Sequence, residues 1–129
     1  MKITLFALIC ILFSVNLSAC EPGEVTFDKN NLCAKIQWIN TPVLNQFISA
    51  SVTLSADTSL KLNVIPWMVM PGHEHGSRPV VITAVGPTDY LVEKMYFMGG
   101  MMGEWFLRLQ LLNDKKEVTE EVRVKVDLQ

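Results

Sequence analysis

The sequence predicts an all-β domain, an antiparallel sandwich of seven or eight short strands. Three observations lead there. Apolar and polar residues alternate with a period of two in segment after segment, the mark of a strand with one buried face. Turn signals recur at spacings of about 8–12 residues. No stretch sustains a helical period.

The chain opens differently. Lys2 precedes an apolar run over residues 3–13. A bilayer-spanning helix needs about 20 apolar residues, so this shorter run reads as the h-region of an export signal. Leu17-Ser18-Ala19-Cys20 follows, and it resembles the lipobox of bacterial lipoproteins. The resemblance implies cleavage before Cys20 and a diacylglyceryl group on its sulfur. An ordinary secretory signal cut after Ala19 is the alternative, although the bulky Leu17 fits a small-residue cleavage site poorly. Residues 1–19 are thus expected to be a signal peptide. Residues 20–129, 110 of the 129, then form one domain with a single core. The expected location is the cell envelope, as a membrane-anchored lipoprotein facing the periplasm or the cell exterior. Attachment would run through lipid at Cys20, since no second long apolar run follows.

The elements then come in order. Residues 25–27 offer a short strand. Ala34, Ile36 and Trp38 alternate with Lys35 and Gln37, and Asn40-Thr41-Pro42 ends that strand. Ile48, Ala50, Val52 and Leu54 make the next, stopped by residues 55–59. Residues 60–70 alternate and carry β-branched side chains, with Pro66 indicating an edge or a bulge. Residues 80–85 and 90–97 are joined by a Gly86-Pro87-Thr88-Asp89 turn. Trp105, Leu107, Leu109 and Leu111 share a face in residues 103–112. The last segment, residues 118–128, alternates most cleanly, although Glu120 breaks its apolar set. Trp38 and Trp105 are expected to enter one shared core.

Charge excludes one class of function. Lys2 is the only charged residue of the signal, so its removal takes the formal charge from −2 to −3. A weakly acidic domain without a basic cluster gives no support for nucleic-acid binding. Of the three cysteines, Cys10 leaves with the signal and Cys20 is assigned to the lipid. Cys33 is then an unpaired thiol in an envelope compartment. A Cys20–Cys33 disulfide is the other fate, and it requires Cys20 not to be acylated.

Two segments concentrate the donor chemistry. Residues 68–77, Met-Val-Met-Pro-Gly-His-Glu-His-Gly-Ser, hold both histidines. Residues 95–103, Met-Tyr-Phe-Met-Gly-Gly-Met-Met-Gly, hold four methionines, and apart from the initiator every methionine of the chain lies in these two segments. Strand parity puts both turns at the same end of the sandwich. Thioethers select Cu(I), and imidazole suits copper in either oxidation state. His73, His75, Met70, Met98, Met101 and Met102 are the candidate ligands. Met98, Met101 and Met102 lie in or beside the glycine turn, whereas Met68 and Met70 share a strand face suited to burial. Trp67 suits packing, with a cation–π contact as its other use. Glu74 is expected in solvent.

The stretches Trp67-Met68-Val69-Met70-Pro71-Gly72-His73-Glu74-His75-Gly76-Ser77 and Tyr96-Phe97-Met98-Gly99-Gly100, with Gly103-Glu104-Trp105 after them, resemble the YtkA-like and FixH-like family of envelope domains. The resemblance covers residues 34–112. It implies an immunoglobulin-like sandwich of about seven strands, and a role in copper handling or oxidase assembly. The chain departs from the family pattern in residues 99–102, inserted before Gly103, and in the extra His73.

Catalysis is not expected. His73-x-His75 is similar to the first metal motif of cupins, but Ser77, Arg78, Pro79 and Val80 stand where an acidic ligand belongs. There is no third histidine, and a catalytic zinc usually takes three protein ligands. The expectation is a lipid-anchored domain binding copper, as Cu(I), for sequestration or handover. The competing expectation is a metal-free module whose two loops dock another envelope protein.

Overall fold

The computed structural model describes residues 19–129. The signal run and most of the lipobox lie outside the described residues. Nine strands follow in order: β1 (Val25–Phe27), β2 (Leu32–Trp38), β3 (Phe47–Leu54), β4 (Lys61–Met70), β5 (His73–Gly76), β6 (Val81–Ala84), β7 (Asp89–Tyr96), β8 (Glu104–Leu112) and β9 (Val118–Lys125). One sheet has the order β1-β2-β3-β7-β6, the other β5-β4-β8-β9. With β1 set aside, these are the two sheets of an immunoglobulin-type sandwich with one extra strand beside β4.

The short strand read at residues 25–27 is β1, and β5 is the one strand beyond the seven or eight expected. β5 is polar, so hydrophobic alternation cannot reveal it. It forms because Pro71 and Gly72 reverse the chain. Pro71 sets the first central residue of the turn, and Gly72 has φ +86°. That pairing is the signature of a type II turn. His73 is thereby brought opposite Met70, and His75 opposite Met68.

Pro66 has its expected edge character. β5 pairs only with Trp67, Met68, Val69 and Met70. The Pro66 carbonyl accepts from Ser77 N on that side, at 3.1 Å. The missing N–H would have pointed the same way, so the ladder to β8 loses nothing.

The core lies between the sheets. Ile48, Ala50, Val52 and Leu54 face Leu62, Val64, Met68, Leu107, Leu109 and Leu111, all buried. Lys94, at φ +61°, forms a bulge in β7 where Glu93 and Lys94 oppose Ser49. The extra residue resets the phase and turns Met95 and Phe97 inward after Val92. Trp38 from one sheet and Trp105 from the other meet edge-on at Phe97, with centroids 6.4 and 5.5 Å away. Val122 and Val124 oppose Arg123 and Lys125 in phase but are only half-buried.

Glu120 turns out to be a clamp. β9 carries an extra residue at Thr119, between Val118 and Glu120. The Glu120 carboxylate accepts from Lys29 N (3.0 Å), Asn30 N (3.1 Å) and Asn30 Nδ2 (2.8 Å). The last strand thus holds the β1–β2 turn.

Cys20 is bonded to Cys33, with Cα atoms 5.5 Å apart. This is the second fate read from the sequence. Acylation and the bridge require the same sulfur, so the lipidated chain and the bridged chain are different molecules. The structure presents the bridged one.

Candidate metal centre

β4 runs towards the end of the sandwich that also holds the β4–β5 turn and the β7–β8 loop, here called the upper end. In an antiparallel pair, directly opposite residues share a face. Met70 and His73 form one such pair, Met68 and His75 the next. All four project from the core-facing side of the sheet. Because β5 is its edge, the imidazoles stay accessible while Met68, 1% exposed, is core. The rings of His73 and His75 are stacked at 5.8 Å between centroids.

His75 Nδ1 lies 3.0 Å from the Gly76 carbonyl, which can only accept. The contact suits the tautomer with its proton on Nδ1, which leaves the Nε2 lone pair for a metal. Metal-binding histidines are commonly oriented by such a bond from the other nitrogen.

The β7–β8 loop closes against the same rung. A Cβ on Gly103 would stand 2.5 Å from Met68 Sδ, 2.6 Å from the Val69 carbonyl and 2.8 Å from Met70 Cγ. Glycine is what allows the loop to approach β4 this closely. Met70, Met101 and Met102 consequently line one open hollow with Val69, Pro71, Gly103 and Glu104.

Met98 is placed apart. It lines a neighbouring hollow with Leu44, Trp105 and Leu128, which Met101 also borders. Its carbonyl accepts from Trp105 Nε1 at 3.2 Å. Gly99 N donates to Asn45 Oδ1 at 2.8 Å, tying this part of the loop to the opposite sheet. The structure therefore gathers Met70, Met101 and Met102 around one hollow, places His73 and His75 beside Met70 and Met68 on the neighbouring strand but outside the lining of that hollow, and sets Met98 to one side.

Trp67 and Glu74 sit on the outer face of the sheet, behind this group. The cation over Trp67 is the Arg108 guanidinium, 4.4 Å from the ring. Glu74 is exposed, as expected, and is also paired. It accepts from Arg123 at 3.0 Å, and that bond holds its carboxyl below the usual range. The outer face continues through Arg108–Glu121 at 2.7 Å. Gln110, buried, is satisfied by Asn63 and Glu121.

Among the described residues, no three His, Cys, Asp or Glu side chains cluster as a metal site built from those donors alone would require. Thioethers are the main donors here. The contact of His75 Nδ1 with the Gly76 carbonyl is legible only in the structure, because sequence does not fix which carbonyl a ring nitrogen meets. Compared with family models, curated proteins and solved structures, the chain finds no match.

Proposed function

We propose that this is an exported envelope domain that binds copper as Cu(I) at its upper end, for sequestration or handover. The observation that carries the reading is the rung itself. An imidazole pair, one ring of which meets the Gly76 carbonyl through Nδ1, stands beside Met70, with Met101 and Met102 across the strand. The donors are imidazoles and thioethers, and the one carboxylate bordering the hollow, Glu104, is paired with Lys125 at 3.3 Å, which favours a soft univalent ion over Zn²⁺. The resemblance to YtkA-like and FixH-like domains, which rests on the sequence motifs alone, implies the same reading. Non-catalytic binding fits this donor set, which offers no nucleophile–base relay.

Envelope location rests on the export signal. Lipid anchoring at Cys20 requires the Cys20–Cys33 bridge to be open. Intact-mass measurement separates the two: acyl mass on Cys20 with a free Cys33 thiol, or an unacylated chain lighter than its reduced form by two hydrogen atoms.

The deciding experiment is a titration under reducing conditions with a competing Cu(I) chelator. The wild type is expected to compete, and a variant lacking His73, His75, Met70, Met101 and Met102 is expected not to. Zinc is expected to bind more weakly than Cu(I). Equal and poor competition by both proteins would sink the copper reading. The docking reading would then stand, and one observation favours it. Of the eight exposed large apolar side chains among the described residues, Ile39, Leu44, Phe47, Met98 and Met102 flank this end, and Met-rich surfaces suit adaptable contacts.

A further inference from the structure

The methionines of this domain divide sharply by exposure. Met68 and Met95 are 1% and 0% exposed, sealed between the sheets. Met70 and Met101 are half-buried and pack against the core. Met102 is 86% exposed and Met98 42%. Gly103 pulls the loop onto β4, so Met102 stands at the lip of the same hollow as Met70 and Met101. Met102, the least covered of the candidate thioethers around this hollow, is therefore the one most open to small oxidants.

We propose that Met102 is an oxidant-sensitive gate on the soft-metal site. A hydroperoxide transfers one oxygen to its sulfur. The O–O bond breaks, the second oxygen leaves as water or alcohol, and the thioether becomes a sulfoxide with loss of two electrons. The product is polar, and its oxygen is a hard donor. Soft univalent ions gain little from it, so the site's hold on them falls. Met68 and Met95 are shielded, and the sandwich survives the change. The proposal rests on the soft-metal reading of this end.

Ag(I) is the probe, a soft univalent ion that does not itself react with peroxide as Cu(I) does. The full exported domain is treated with limiting hydrogen peroxide, with and without bound Ag(I), and mapped by peptide mass. Met102 is expected to gain oxygen first, Met98 next, and Met68 and Met95 last. Bound Ag(I) is expected to protect Met102 but not Met98. Protein oxidised at Met102 is expected to bind Ag(I) about tenfold more weakly, the scale on which a supporting group tunes metal affinity. Met102→Leu is expected to be weaker from the start and to lose nothing further under the same limiting dose. Unchanged affinity after oxidation at Met102, or no protection by bound Ag(I), overturns the gate while leaving metal binding intact. A further loss in Met102→Leu would assign the gate to another methionine and also overturn it. Failure of the untreated protein to bind Ag(I) would instead remove the metal reading itself.

Discussion

Replacing Gly103 with alanine tests how tightly the loop and β4 depend on each other. A methyl group there meets three atoms at 2.5, 2.6 and 2.8 Å, where ordinary contact begins near 3.4 Å. The nearest, Met68 Sδ, belongs to a side chain 1% exposed and has little room to turn aside. The second is the backbone oxygen of Val69, inside the ladder with Glu104. The loop must therefore retreat by roughly 0.8 Å. Overpacking of this kind costs about 1–3 kcal/mol, which lowers Tm by about 4–12 °C in a domain of this size. The same retreat carries Met101 and Met102 away from Met70. Gly100→Ala is the control. Its φ is +79° and nothing lies within 4 Å, so it meets backbone strain alone, about 1 kcal/mol. Thermal unfolding and Cu(I) competition on both variants decide the matter. Gly103→Ala is expected to lose more stability and more copper affinity than Gly100→Ala. Equal stability in Gly103→Ala and wild type would refute the close-approach argument.

Other outcomes follow from the long-range polar contacts. Glu120→Ala removes three hydrogen bonds to the β1–β2 turn; at this half-exposed place the loss is expected to be about 2 kcal/mol by urea unfolding. Hydrogen exchange at the Lys29 and Asn30 amides should quicken, and unchanged exchange would show that the clamp is idle. Glu121 feels a desolvation that raises its pKa, outweighed by hydrogen bonds from Arg108 and Gln110, so the net shift is downward from 4.5. A depressed carboxyl contributes stability above its unfolded pKa and loses it as pH falls through the folded value. Stability should therefore decline below about pH 4.5, and Glu121→Gln should flatten that decline. An unaltered acid limb in the variant would remove Glu121 from the account.

Much of the fold is written in local pattern, and what is missing is missing for a physical reason. β3, β8 and β9 alternate strongly because one face of each packs on the core, so period and burial coincide. β5 has no such signal. Its existence depends on a turn that lays a polar tetrapeptide against β4. The bulge at Lys94 also escapes a period-two reading, because phase is reset by one residue held at positive φ. Glu120 is visible as a break in a pattern, but its partners lie some 90 residues away, and nothing local names them. At the candidate site, parity suffices to put both turns at one end. It cannot say that Met98 leans towards Asn45 and Leu44 while Met101 stays with Met70, since that is decided by Gly99 bonding across to the other sheet.

The place of Cys20 gives the molecule a direction. Its partner Cys33 is the second residue of β2, at the foot of the sandwich, whereas Met70 and the histidines crown the far end. The ten residues of β4 span about 33 Å between these levels. Whatever joins the domain through its N-terminus leaves from the foot. If the bridge opens and lipid takes the Cys20 sulfur, the anchor lies at this foot and the donors at the end away from it. An exchange partner could then approach from solution without contending with the lipid surface, and a site buried in the bilayer could not be served without tipping the whole sandwich over.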